Sequence, residues 1–315
     1  MSVMSRETTV RVPMFLDTKG NALDDGPGIR SVVFFKGCPL SCVWCHNPES
    51  QKSAAELSFD AGACISGCTR CIDICPRHAL DRDRPGLVDR NVCDLCFECV
   101  DACPSGALDR VGRPATIQQL MTSVRKDKPF FEASGGGVTF SGGEATLHMA
   151  FLGELAAACR AEGIRTLLET SGQFHWERFE RQVLPHIDVV YFDIKLLDRE
   201  AHRRFCGVPN DRILENFGRM ATLALAGEIE LLPRIPLIPG ITDREENVLA
   251  IGELLLSHGV TQVRLLEYNP TWVDKVVKLG ARNELVEKAE MRTWLPKTIG
   301  ATLRAKLADR GVSAS

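Results

Sequence analysis

Eleven of the thirteen cysteines in this 315-residue chain lie between positions 38 and 103, and their spacing limits what the rest can be. The first group reads Gly37-Cys-Pro-Leu-Ser-Cys-Val-Trp-Cys-His46. Cys38, Cys42 and Cys45 are thus separated by three and then two residues. Cysteines so placed can hold three irons of a four-iron cube and leave the fourth iron without a protein thiolate. Structural clusters are closed by four cysteines, so an open iron is a place for chemistry. A zinc knuckle and a ferredoxin fragment are the competing readings. A zinc site wants a fourth nearby ligand, and His46 abuts Cys45 too closely to share its metal easily.

Two further groups follow. One is Cys64-x3-Cys68-x2-Cys71-x3-Cys75-Pro76, and the other is Cys93-x2-Cys96-x2-Cys99-x3-Cys103-Pro104. The last is the bacterial ferredoxin run, and the middle one differs only in its first gap. In paired runs of this kind the fourth cysteine of each ligates the other cluster. The expected assignment is one 4Fe–4S cluster on Cys64, Cys68, Cys71 and Cys103, and a second on Cys93, Cys96, Cys99 and Cys75. Both sites are closed, which suits electron transfer or structural stapling. Disulfides would need a secreted chain, and the N-terminus has no apolar signal segment. Two zinc sites are the better rival. Cys159 sits in a helical pattern with Leu155 and Ala156 and reads as core packing. Cys206 lies outside the groups.

A net charge of −3 offers no nucleic-acid footprint. No apolar run approaches about 18 residues, so no membrane span is expected. Thiolates for three clusters need a reducing compartment, which places the chain in the cytoplasm, with anaerobic chemistry. The near-continuous apolar stretches at 29–36, 138–141, 165–169, 189–193, 231–238 and 262–267 predict six strands of a parallel sheet covered on both faces. Helical periodicity falls between them at 150–162, 176–184, 212–226 and 245–258. Six strands with crossover helices predict an α/β fold, a partial (β/α)6 TIM-like barrel. Residues 62–108 read as a small inserted domain between an N-terminal part (1–61) and the remainder of the barrel (109–315). Function in such barrels gathers at the C-terminal ends of strands.

Several motifs fall at those ends. Gly142-Gly143-Glu144 follows the second strand; its glycines permit close backbone approach to a ligand, and Glu144 can accept from an ammonium group. Glu169-Thr-Ser-Gly172 ends the third strand, where a carboxylate can accept from ribose hydroxyls. Asp193-Ile-Lys195 ends the fourth and can pair across the barrel mouth to hold a carboxylate; a plain surface ion pair is the alternative. Arg234 opens Arg-Ile-Pro-Leu-Ile-Pro-Gly240, either as a bidentate carboxylate binder or as an interior ion-pair partner.

The first cysteine loop resembles that of the radical S-adenosylmethionine (SAM) superfamily. There the open iron chelates the amino and carboxylate groups of SAM, and the cluster's electron cleaves SAM to methionine and a 5′-deoxyadenosyl radical. Asp25-Gly-Pro-Gly28-Ile-Arg30, the 38–48 run, the paired ferredoxin motifs, the Gly-Gly-Glu, Glu-Thr-Ser-Gly and Phe-Asp-Ile-Lys runs and residues 234–240 occur in this order. From about residue 20 to 280, the chain is similar to the glycyl radical enzyme-activating enzymes, in the subgroup with a ferredoxin-like insert. The resemblance implies three [4Fe-4S] clusters, one SAM-binding and two auxiliary, within a radical SAM barrel. It implies that Trp44, Cys45 and His46 flank the adenine, with the Trp44 ring available for stacking. It also implies that Gly143, Glu169, Asp193 and Lys195 line the SAM site. Family members usually carry a Tyr/Phe-His pair after the sixth strand; here Tyr268-Asn269 stands there, and Asn269 is kept as a SAM contact because it can donate or accept. The segment from Trp272 to Gly280 also departs from the family pattern.

The implied partners are a large glycyl radical enzyme, as protein substrate, and reduced flavodoxin or ferredoxin. No catalytic side chain beyond the SAM cluster is expected, since hydrogen-atom transfer needs no acid or base. Two other readings are a radical SAM enzyme modifying another peptide or a small molecule, and an electron-transfer protein built around its ferredoxin module.

Overall fold

The computed structural model describes residues 12–315; the first eleven residues of the expected N-terminal part lie outside the described residues. The described chain opens with an antiparallel pair, β1 (Met14–Ala22) and β2 (Arg30–Phe35). Next, β3 (Glu56–Phe59) and β4 (Leu108–Val111) pair antiparallel and bracket the cysteine-rich segment, which holds the short helices α1 (Arg70–Ile74) and α2 (Glu98–Asp101). A two-residue strand, β5 (Arg113–Pro114), then joins the edge of β1.

From there strands and helices alternate. They run α3 (Ile117–Arg125), α4 (Lys128–Ser134), β6 (Gly137–Gly142), α5 (Met149–Ala161), β7 (Arg165–Thr170), α6 (Trp176–Gln182), β8 (Val189–Asp193), α7 (Arg199–Cys206) and α8 (Asp211–Leu225). The chain ends with β9 (Glu230–Leu237), α9 (Glu245–Ser257), β10 (Gln262–Glu267), α10 (Trp272–Lys278), α11 (Lys297–Ala308) and β11 (Ser313–Ala314). The described strands other than β3 and β4 form one sheet in the order β11-β10-β9-β8-β7-β6-β2-β1-β5.

The six expected strands are β2 and β6 to β10, each parallel to the next. Residues from β2's exit (Cys38, Leu40) and from β10 (Arg264 to Glu267) line one cavity, so the sheet curls into an open barrel. Side-chain alternation divides the strands. Phe140, Leu168, Val190, Phe192, Ile235 and Leu237 face outward into the core shared with the helices. Leu167, Val189, Tyr191 and Leu232 form a separate small cluster.

Arg30 explains why the Asp25-to-Arg30 run begins the barrel. Its side chain is fully buried and donates to Thr139 Oγ1 and to the carbonyl of Val138, both at 2.7 Å, and to Pro27 O at 3.2 Å. Thr139 Oγ1 in turn donates to Asp25 O at 2.7 Å. One guanidinium thereby ties β2, β6 and the 25–28 turn together. Burial, with Arg165 nearby, lowers its pKa to about 10, which leaves it charged at neutral pH.

The segment between β3 and β4 packs a core of its own from Leu57, Leu80, Leu87, Val88 and Leu108 with Cys75 and Cys99. Lys36, fully buried at the end of β2, joins this segment to the barrel through Glu56 on β3 at 2.7 Å.

Replacing Arg30 with Met leaves the Val138 carbonyl without its buried side-chain donor, while the Thr139 hydroxyl keeps its bond to Asp25 O. At about 1–3 kcal/mol for an unsatisfied buried group, Arg30→Met is expected to lose roughly 1–3 kcal/mol of unfolding free energy, read from urea unfolding by circular dichroism. A loss under about 0.5 kcal/mol, the range of an ordinary surface change, would contradict this role.

Candidate active site

The cysteine loop leaves β2 at Gly37, whose φ of +109° suits glycine. Hydrogen bonds hold it on several sides. Gly37 N donates to Ser50 O at 2.7 Å and Cys38 N to Gln51 O at 3.0 Å. On the α7 side, Ser41 N donates to Cys206 O at 2.9 Å and Val43 N to Phe205 O at 3.0 Å. From α10, Lys275 Nζ reaches His46 O and Asn47 Oδ1, both at 3.0 Å, and Glu49 Oε1 at 2.8 Å. Asn283 Nδ2 closes the ring by donating to Val43 O at 2.6 Å.

The end of β6 abuts this loop. A Cβ on Gly142 would stand 2.2 Å from Phe35 O, and one on Gly143 would stand 2.3 Å from Gly37 O. Only glycine fits at either position, which lets β6 close tightly on the loop, and both residues line a cavity. That cavity has a volume of about 610 Å³ and is lined by Cys38, Cys42 and Cys45, by Gly142 and Gly143, and by Glu169, Asp193, Lys195, Arg234 and Asn269. Trp44 and His46 also line it.

A layer of charge crosses the barrel below the loop. Arg234 Nε donates to Asp193 Oδ1 at 2.8 Å, and its Nη1 donates to Glu169 Oε1. Its guanidinium lies over the Tyr191 ring at 5.2 Å. Lys195 Nζ stands 3.5 Å from Asp193 Oδ2, and the two side chains are 12% and 23% exposed, so this is no surface pair. Burial works to raise the Asp193 pKa, but Arg234 and Lys195 outweigh it and hold the carboxyl below its ordinary value. Asp24 and Asp25 line the same cavity, and burial with the neighbouring Glu169 charge raises the Asp25 carboxyl.

Two residues differ from the sequence expectation. Glu144 does not line the cavity. It is buried, and its carboxylate accepts from Thr146 Oγ1 (2.7 Å), Thr170 Oγ1 (2.8 Å), Ser171 N (2.8 Å) and Ser171 Oγ (2.6 Å). With both oxygens satisfied, it anchors the 170–171 turn. The Trp44 ring is only 3% exposed and packs at a tilt on Phe205, with centroids 6.3 Å apart, so its face is largely covered. Asn269 reaches the cavity rim with Oδ1 already taken by Thr271 Oγ1 at 2.5 Å, which leaves its amide group to donate. Arg234 resolves into an interior ion-pair partner. Sequence reasoning had no signal for Arg264, Lys275 or Asn283.

The thiols of the loop resist ionisation by themselves. Burial raises Cys38 and pushes Cys45 up to about 12; Cys42 is raised first by hydrogen bonding with Cys206 and then by burial. Burial, with the Lys275 ammonium, lowers His46 to about 4, so its ring is neutral. In the inserted segment the cysteines surround two small cavities. Cys64, Cys68, Cys71 and Cys103 line one, and Cys75, Cys93, Cys96 and Cys99 line the other. Among the described residues no three of His, Cys, Asp and Glu converge on a point fit for a single ion. A cube spreads its thiolates over separate irons and needs no such convergence. Among the described residues no helix is long and apolar enough to cross a membrane.

The radical SAM superfamily profile matches residues 32–250. The isethionate sulfite-lyase activating enzyme of Desulfovibrio desulfuricans is 39% identical over 85% of this chain and 86% of its own length. The (2S)-3-sulfopropanediol dehydratase activating enzyme of Klebsiella oxytoca is 38% identical over 78% of this chain and 77% of its own. The trans-4-hydroxy-L-proline dehydratase activating enzyme of Clostridioides difficile is 38% identical over 88% and 92%. Streptococcus suis SuiB, solved with its precursor peptide SuiA, shares the fold at a TM-score of 0.50 and 12% identity, over 88% of this chain and 46% of that one. The chain belongs to the radical SAM superfamily and, within it, to the activating-enzyme family of these relatives. That family implies a [4Fe-4S] cluster and SAM.

Arg234 is the charge on which the layer turns. Removing one partner of a buried ion pair typically costs about 3–5 kcal/mol, and Arg234→Met is expected to lose an amount of that order at pH 7. Because the folded Asp193 pKa is depressed, its contribution is complete above the unfolded value, about 3.9, and is lost as pH falls through the folded one. Without Arg234 the carboxyl rises, so acid unfolding of the variant should begin at a higher pH. An acid limb that coincides with the wild type's would contradict this account.

Proposed function

We propose that this chain activates a glycyl radical enzyme: it cleaves SAM reductively at an iron–sulfur cluster on Cys38, Cys42 and Cys45 and abstracts a hydrogen atom from a backbone glycine of a large partner protein. The single observation behind this is the cavity in which a three-cysteine loop faces a buried layer of charge and two glycine backbones. The relatives support it, since activating enzymes for three different partners match most of the chain at 38–39% identity. The similarity therefore tracks a shared chemistry rather than one partner's substrate.

When bound, the cluster and SAM supply the 5′-deoxyadenosyl radical. The chain's own residues bind, orient and exclude water. The Gly142 and Gly143 backbones receive the amino end of SAM, and Lys195, held by Asp193, faces its carboxylate. Glu169 keeps Oε2 toward Ser141 Oγ, 2.5 Å away, where a ribose hydroxyl can exchange with that serine. His46 lies edge-on to Tyr268 at 5.6 Å and borders the adenine space with the rim of Trp44. Asn269 offers its amide from the opposite wall. The donor set fits a cluster: three cysteines share one cavity wall, and their thiols need the positive charge of bound iron to ionise there. No acid–base side chain is required for hydrogen-atom transfer.

The two four-cysteine sets of the insert fit closed [4Fe-4S] clusters with crossed ligation, as in ferredoxins, which gives three clusters in all. Reduced flavodoxin or ferredoxin is the electron source, in an anaerobic cytoplasm.

Anaerobic protein given dithionite and SAM should form 5′-deoxyadenosine, and paramagnetic resonance should show a glycyl radical doublet on the partner. Deoxyadenosine without a doublet on any glycyl radical enzyme would shift the reading to a peptide or small-molecule substrate. Loaded protein should hold about twelve irons, four per cube. Cys42→Ala should lose about four of these and all SAM cleavage. Cys75→Ser should damage the cluster on Cys93, Cys96 and Cys99; loss of the Cys64-side cluster alone would refute the crossed pairing.

Lys195→Ala should weaken SAM binding with iron content unchanged. A charge-assisted hydrogen bond contributes roughly 1.5–3 kcal/mol and about 1.4 kcal/mol is tenfold, so Kd should rise about tenfold to a hundredfold. Equal Kd values for the two loaded proteins would remove Lys195 from the site.

A further inference from the structure

A second cavity, of about 520 Å³, lies on the other face of the cysteine loop. Cys42 and Cys45 line both cavities, so the loop is a partition a single chain thick. The floor of this second cavity is apolar, with Val43, Phe205, Val276 and Leu285. Its rim carries three exposed cations, Arg204, Arg282 and Lys288, against one acid, Glu284. Arg204 lies over the Phe205 ring at 5.1 Å. Nearby cations are spent on neighbours, Arg203 on Glu200 and Lys275 on Glu49. The rim cations take part in no ion pair among the described residues. On a chain of net charge −3 this is a local reversal of sign.

Resting on the function proposed above, we infer that this basic-rimmed cavity is the port where an acidic one-electron carrier protein docks and reduces the cluster on the cysteine loop directly. Carriers of this kind exchange rapidly, through small, weak encounter surfaces steered by charge. An acidic carrier matches the three rim cations, and the apolar floor admits the exposed edge of its redox group. The site touches two of the three cysteines of the loop. The small cavities among the insert cysteines share no lining residue with the loop, so a relay through the insert has no comparable contact. The step balances simply: the carrier loses one electron, the cluster on Cys38, Cys42 and Cys45 gains it, and no bond on this chain forms or breaks. Because the port opens away from the SAM cavity, the glycine-bearing partner can occupy the other face at the same time.

The test is a triple charge reversal, Arg204→Glu, Arg282→Glu and Lys288→Glu, in the full chain loaded with iron. The probes are an acidic flavodoxin and an acidic ferredoxin. Three quantities are read: carrier Kd by titration at low and physiological salt, stopped-flow cluster bleaching by each reduced carrier, and the same with dithionite. The wild type should bind at least one carrier in a salt-sensitive manner. The variant should bind it at least tenfold more weakly, with a flattened salt dependence and correspondingly slower carrier-driven reduction. Dithionite reduction, SAM cleavage and radical installation with dithionite should stay at wild-type levels. Unchanged carrier affinity and reduction rate in the variant, or a wild type that binds neither carrier, would overturn the port. So would a dithionite-reduced variant that cleaves SAM but no longer installs the radical, since the surface would then belong to the glycine-bearing partner. A dithionite-reduced wild type that cleaves no SAM would instead remove the proposed function, a failure distinguishable from all of these.

Discussion

Three half-buried thiols at the exit of a strand are the constraint around which this molecule is arranged. Burial raises the thiols of Cys38 and Cys45, and a hydrogen bond with Cys206 together with burial raises Cys42, so the loop cannot depend on their charge to hold its shape. Its shape comes from elsewhere: backbone bonds to residues 50 and 51, to the end of α7, and side-chain donors from Lys275 and Asn283. A loop built this way is formed before any metal arrives. It also stays thin, because its donors and acceptors are satisfied from the sides and none need fill the two faces. One face opens on the barrel and the other on the basic-rimmed cavity.

The charged layer beneath is preorganised in the same sense. Parallel register sets Glu169 beside Tyr191 and Asp193 beside Arg234. Alternation then turns Glu169, Asp193 and Arg234 into the barrel while Leu168, Phe192 and Ile235 turn out to the helices. The guanidinium can therefore bridge two carboxylates without reorganising either strand, and fixed dipoles and charges of this sort act strongly where water is scarce. Lys195 lies beyond the strand end, where it stays on the cavity side of Asp193.

Much of this was legible in the sequence because the signals are local. Six apolar runs marked the six parallel strands, since strands covered on both faces leave no polar alternation to confuse the pattern. Their ends moved by only a residue or two. The strand β1 was missed because only the two residues of β5 cover its outer side and it exposes Asp17, Lys19 and Asn21, and α7 because it is short and charged. At the site, the cavity collects the glycines, Glu169, Asp193, Lys195 and Asn269 because each sits at or just past a strand end, while Arg234 enters it from the middle of β9. Glu144 escaped the pattern: its role depends on Thr170 and Ser171, which are local to a different strand. Lys275 was invisible for the same reason, since its partner carbonyl at His46 lies 229 residues away.

That distance also explains how the segment from 272 to 280 can matter to a loop so far from it in sequence. Lys275 and Lys278 stand nearly one turn apart on α10, so they project from neighbouring positions on one helix. Lys275 holds the cysteine loop, while Lys278 pairs with Asp60 at 2.7 Å, just after β3. Arg90, also in the insert, donates to Leu57 O at 2.8 Å and reaches Lys278 O at 3.4 Å. A single short helix thus bears on both the active-site loop and the cysteine-rich insert. Its sequence has to match the local shape of both surfaces, whereas the chemistry at the barrel mouth constrains it only through the Lys275 ammonium. Changes in the insert would be expected to draw changes in α10 with them and to leave the strand-end residues untouched.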